Sequence, residues 1–87
     1  MEYFVYVLLS KKDKKFYTGF TNNLTERINK HNSGKVASTH HRIPFELVYY
    51  EVSYNQKDAL HRERYLKSTY GKRYIRNRLY NFLNLKV

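Results

Sequence analysis

Two short apolar runs open the chain, Phe4-Val5-Tyr6-Val7-Leu8 and Phe16-Tyr17-Thr18-Gly19-Phe20, joined by the polar link Ser10-Lys11-Lys12-Asp13-Lys14-Lys15. Aromatic and β-branched residues flanking a short charged segment predict an antiparallel hairpin. Successive strand side chains alternate in direction, so Phe4, Tyr6 and Leu8 share one face and Tyr3, Val5, Val7 and Leu9 the other. Both faces are apolar, which requires helices to cover the sheet on both sides.

The pattern then changes to helical periods. Asn23 and Glu26 form a cap signature for a first helix that ends near Asn32-Ser33-Gly34. At 100° per residue Leu24, Arg27, Ile28 and His31 fall on one stripe, which places a cation and an imidazole among the apolar residues that dock the helix. Residues 35 to 42 read as a basic loop bearing hydroxyl and imidazole groups. Residues 43 to 52 form a third strand whose direction relative to the hairpin the sequence leaves open. A second helix, capped at Asn55, is expected to continue to Tyr70 and to end at Gly71, with Ala59, Glu63, Leu66 and Tyr70 on its inner face. A third helix is expected from Lys72 to Leu85, directing Ile75, Leu79, Phe82 and Leu83 inward. The expected fold is α+β: a small three-stranded sheet flanked by helices in the order ββαβαα, one domain over residues 1–87.

Composition sharpens this picture. The chain of 87 residues carries 17 Lys and Arg against 7 Asp and Glu, a net charge of +10. Such a surplus costs self-repulsion and points to a polyanionic partner, nucleic acid above all, rather than to solubility alone. Lys35, Thr39, His40, His41, Arg42, Lys72, Arg73 and Arg76 are candidate phosphate-backbone contacts, against the plainer reading of a solvated face. Neutralising about six phosphates would give a log-log salt slope near −5. There is no cysteine, hence no disulfide framework and no thiolate metal site. With no apolar run long enough to span a membrane and no signal-peptide pattern, the expectation is a cytoplasmic protein, monomeric or weakly dimeric.

Glu63 is the sharpest single signal. A carboxylate central on a helix's inner face is costly to bury and needs a cation, a set of donors or a metal. An ion pair with Arg27 or with Lys67 one turn on is the structural alternative. Arg27 could equally be an arginine covering apolar surface with its stem. Tyr6 and Tyr17 could be core residues whose hydroxyls are satisfied at the sheet margin, and His31 a structural donor rather than a phosphate or water contact.

The spacing of Phe4-Val5-Tyr6 and Tyr17-Thr18-Gly19 resembles the two-motif signature of the GIY-YIG nucleases. Over residues 3 to about 80 the chain is most similar to small single-domain proteins resembling the nuclease domain of the C component of excinuclease ABC. Phe4 stands where the family has Gly, and Thr18 where it has Ile. The resemblance implies an endonuclease using one divalent metal, Mg²⁺ or Mn²⁺, held by Glu63, with DNA favoured over RNA and structure-selective repair or recombination substrates in view. It implies that Tyr17 takes the proton of the attacking water, that Tyr6 orients it or the phosphate and that Arg27 grips the scissile phosphate; His31, one turn after Arg27 on the same stripe, joins these catalytic candidates as a phosphate or water contact. Gly19 would let backbone approach the site or substrate. The family's Asn after the acidic helix has no clear equivalent, since Asn77 opposes Ile75 and Leu79. No segment remains to select a substrate, which leaves room for a recruiting protein. The alternative is a nucleic-acid-binding module of the same fold that cleaves little or nothing.

Overall fold

The computed structural model describes residues 1–85. Residues 86 and 87, which the expected domain 1–87 also takes in, lie outside the described residues. The elements are β1 (Tyr3–Ser10), β2 (Phe16–Thr21), α1 (Leu24–Asn32), a 3-10 turn (His40–Arg42), β3 (Phe45–Ser53), α2 (Gln56–Lys67), α3 (Thr69–Arg78) and α4 (Tyr80–Leu85). β1 is the central strand, flanked by β2 and β3, and both pairings are antiparallel. The fold is α+β, as the alternation of periods predicts.

The two apolar faces of β1 nucleate separate cores. Val5 and Val7 pack with Ala59, Leu66 and Ile75 from α2 and α3. Tyr6 and Leu8 pack with Phe45, and Leu24 and Ile28 of α1 close over them. Each fully buried Val, Leu or Ile contributes about 1.5–3 kcal/mol, so both faces of the sheet stabilise it.

The ends of α1 follow its sequence. Asn23 accepts from the Glu26 amide at 3.2 Å, while Gly34, at φ 77°, lets the Lys35 amide reach back to the Lys30 carbonyl at 3.1 Å. The Glu26 side chain takes the Asn23 side-chain amide rather than the backbone N–H, and pairs with Lys30.

The C-terminal helices depart from expectation. The break falls at Ser68, whose hydroxyl caps α3 by accepting from the Gly71 amide at 3.1 Å. Gly71 does not terminate a helix; it sits in the first turn of α3. A Cβ there would collide with the Tyr65 carbonyl and Leu66 backbone, so this glycine permits close crossing of α2 and α3. Tyr70 consequently leaves the α2 core face and stands exposed. A further interruption at Leu79 separates α4, giving the order ββαβααα.

Candidate active site

Register places Tyr6 opposite Gly19 and Leu8 opposite Tyr17. Both phenols therefore stand on the α1 side of the sheet, ring centroids 6.5 Å apart. A Cβ on Gly19 would fall on the hydroxyl end of the Tyr6 ring. The room this glycine leaves is thus filled by Tyr6, and Gly19 is buried beneath it rather than open to a substrate.

Tyr6 is only 1% exposed. Its hydroxyl lies 2.8 Å from Nε2 of His31 and accepts from Nε of Arg27 at 3.4 Å. Nδ1 of His31 in turn lies 2.8 Å from the Thr39 hydroxyl. His31 and Thr39 are wholly buried, so neither can touch a phosphate directly, and Thr39 becomes the anchor of an internal chain instead of a backbone contact. Burial, assisted by the Arg27 charge, pushes the His31 pKa down to about 4. The imidazole is neutral at pH 7, a donor at one nitrogen and an acceptor at the other. Thr39, His31 and Tyr6 therefore form one directional chain whose polarity at one end sets that at the other. Burial also raises the Tyr6 pKa, and the Arg27 bond and charge only partly oppose it. Tyr6 keeps its proton and faces inward, supporting Arg27 rather than meeting solvent.

Arg27 rises from α1 between the two phenols. The bond to Tyr6 raises its pKa most, against burial, with the Tyr17 hydroxyl adding to the effect. Among the described residues no carboxylate pairs with it. It lines a polar groove with Phe20, Thr21, Asn22, Asn23, Glu26 and Lys30. The helical wheel puts Lys30 on the outer side of α1, yet its position three residues after Arg27 is the signal that finds it.

Glu63 projects from α2 with its side chain 17% exposed, paired to Nζ of Lys67 at 3.2 Å, a lysine whose own side chain is 53% exposed. Its negative charge is one of the influences that raise the Tyr6 pKa, so it lies within electrostatic reach of that phenol. The partner is the i+4 lysine, not Arg27. No cluster of three or more His, Asp or Glu exists among the described residues. A lone carboxylate with an easily displaced partner suits a hard ion that keeps most of its water, such as Mg²⁺, and does not suit a fully protein-coordinated metal.

The remaining predicted contacts divide. Lys72, Arg76 and Arg42 line one cleft with Lys14 and Lys15, floored by Phe16 and Leu83. Within it Arg42 is already engaged: Nε donates to Asp13 at 2.6 Å, and Nη2 donates to Asp13 and to the Lys15 and Phe16 carbonyls at 3.3 Å. It clamps the β1–β2 turn, and it holds the Asp13 carboxyl well below the usual carboxylate range. Arg73 is exposed with its guanidinium 5.8 Å from the Tyr70 ring. Lys35 lies past the end of α1, apart from that cleft, in a shallow depression shared with Lys30. His40 and His41 are exposed, their rings packed edge to face. Asn77 is exposed on α3.

Comparison with known proteins agrees with this fold. The chain matches the family described as the GIY-YIG catalytic domain over residues 2–81. The chain belongs to the GIY-YIG family. Among GIY-YIG relatives it is 48% identical over 65 residues to the UPF0213 protein CPE1444 of Clostridium perfringens, covering 74% of this chain and 69% of that one. It is 38% identical over 80 residues to a UPF0213 protein of Pediococcus acidilactici, covering 85% and 82%. The solution structure of the UPF0213 protein BH0048 of Bacillus halodurans superposes with a TM-score of 0.55 at 37% identity, covering 86% of this chain and 82% of that one. GIY-YIG membership identifies a nuclease-type catalytic domain, while the names of these relatives state no reaction. No helix among the described residues is long and apolar enough to cross a membrane.

Proposed function

We propose that this GIY-YIG domain hydrolyses phosphodiester bonds in nucleic acid, DNA in preference to RNA, at the site formed by Tyr17, Arg27 and Glu63. The observation that carries the reading is the state of Arg27: a half-buried guanidinium held by the Tyr6 hydroxyl, within electrostatic reach of Tyr17 and, among the described residues, paired with no carboxylate. An arginine neutralised by an acid is spent. One held by neutral oxygens keeps its full charge for a phosphate, which it can grip with two bonds and stabilise as charge develops in the transition state. Tyr6, His31 and Thr39 fix its orientation from behind. Tyr17 takes the proton of the attacking water. Glu63 would hold a Mg²⁺ or Mn²⁺ ion, which supplies charge neutralisation at the phosphate and leaving oxygen. The basic cleft of Lys72 and Arg76 would guide the strand, and branched or nicked repair and recombination intermediates are the substrates in view.

A second reading is favoured by the Glu63–Lys67 pair. If Lys67 outcompetes the metal, the protein binds nucleic acid and leaves it intact. Incubation of branched, nicked and single-stranded DNA and RNA with Mg²⁺ or Mn²⁺ separates the two. The hydrolase reading expects cuts that fall at least about 100-fold in Glu63→Ala and Tyr17→Phe. Binding without cuts, or cuts surviving both substitutions, rejects it.

A further inference from the structure

α1 covers only part of its sheet face. The apolar residues it closes over are Tyr6, Leu8, Tyr17, Phe45 and Leu47. β3 pairs so that Tyr50 lies opposite Tyr6 and Val52 opposite Phe4, which puts Phe4, Tyr50 and Val52 on the same face as Tyr6 and outside that cluster. Tyr50 remains 50% exposed and Val52 38% exposed. The Phe4 ring lies 6.0 Å from the Tyr50 ring, tilted by 56°. Phe4 therefore braces one side of Tyr50 and leaves the ring accessible beside the phenol that holds Arg27.

From this juxtaposition we propose that Tyr50, braced by Phe4, stacks an unpaired nucleobase next to the phosphate held on Arg27. The inference rests on the nucleic-acid reading above and narrows it to strands that can offer a free base: single strands, flaps and branch points. The Tyr6 hydroxyl lies over Gly19 on β2 and Tyr50 stands on β3, at the other side of β1; two strand spacings make about 10 Å, so a strand whose phosphate sits on Arg27 can bring a neighbouring base over this patch. The surroundings suit a polyanion, because among the described residues Arg27 pairs with no carboxylate, while the other two charges of the groove, Lys30 and Glu26, neutralise one another. A flat, stiff aromatic surface beside an uncompensated guanidinium is the arrangement by which proteins hold single strands without reading their sequence. A base inside a duplex has no free face to present, so the patch discriminates by pairing state.

The test uses binding without divalent metal, so that cleavage plays no part. A single-stranded oligonucleotide carrying 2-aminopurine and the matching duplex are titrated with wild type, Tyr50→Ala and Tyr50→Phe. Stacking quenches the probe in wild type and in Tyr50→Phe. Tyr50→Ala loses the quenching and binds the single strand roughly 5- to 150-fold more weakly, with duplex affinity unchanged. Equal single-strand affinity and quenching in wild type and Tyr50→Ala overturns the proposal, as does an equal loss on duplex. If wild type binds neither probe, the nucleic-acid reading falls with it. Sedimentation on the same samples decides the other occupant: a wild-type dimer that Tyr50→Ala dissolves assigns the patch to a second copy of the chain and rejects base stacking.

Discussion

His31 makes the fold of this protein sensitive to mild acid. The imidazole is wholly buried, bonded at both nitrogens, and its pKa falls from 6.5 to about 4 under burial and the Arg27 charge. A base with a depressed pKa stabilises the fold fully above its unfolded value, here 6.5, and that contribution is lost as pH drops towards 4. At pH 5 the unfolded chain has taken up the proton while the folded one has not, and the difference amounts to about 2 kcal/mol. For a domain of this length that corresponds to a fall in Tm of about 8–16 °C between pH 7.5 and pH 5. The measurement is thermal or urea unfolding of wild type and His31→Gln at both values. The variant is less stable throughout but lacks the His31 increment, and the other three histidines, common to both proteins, cancel in the comparison. If both proteins lose the same stability between the two pH values, His31 is not held neutral by its surroundings and the directional chain from Thr39 to Tyr6 is wrong.

Gly19→Ala forces a methyl into the space of the Tyr6 ring. The expected cost is about 2 kcal/mol, read as a lowered Tm, and an unchanged Tm would show that the ring has room to move. Glu51→Gln removes the carboxylate that receives Arg62 at 2.8 and 2.9 Å and the Tyr49 hydroxyl at 2.8 Å, leaving a guanidinium enclosed by Tyr65 and Tyr74. Partial exposure moderates the loss to about 1–3 kcal/mol, measured as a lower urea midpoint at constant slope.

What was legible in the sequence follows from the range of the physics involved. The stripe Leu24, Arg27, Ile28, His31 and the shared face of Phe4, Tyr6 and Leu8 are set by helical and strand periods, so a one-dimensional pattern contains them; that Tyr17 joins Tyr6 on that face depends on the hairpin register. Thr39 and Arg42 were not legible as internal partners. Their targets, His31 and Asp13, lie 8 and 29 residues away, and a hydroxyl or guanidinium in a loop looks the same whether it faces a phosphate or a buried neighbour. Gly71 failed for a related reason: the local rule that glycine ends helices gave way to the close crossing of α3 over α2, a tertiary demand with no local mark.

The same distinction governs the charge. A net charge of +10 points to a polyanion without saying which cation meets it. The structure separates them by partner: Lys30, Arg42, Arg62 and Lys67 are bonded to Glu26, Asp13, Glu51 and Glu63, whereas Arg27 is bonded to the Tyr6 phenol. A carboxylate must be displaced before its cation can serve a phosphate, at the cost of the pair; a phenol need not be, because its oxygen orients the guanidinium without cancelling its charge. The proposal of Arg27 as the phosphate-binding arginine therefore rests on which oxygen holds it, and the glycine that lets Tyr6 lie across β2 is as necessary to that choice as the arginine.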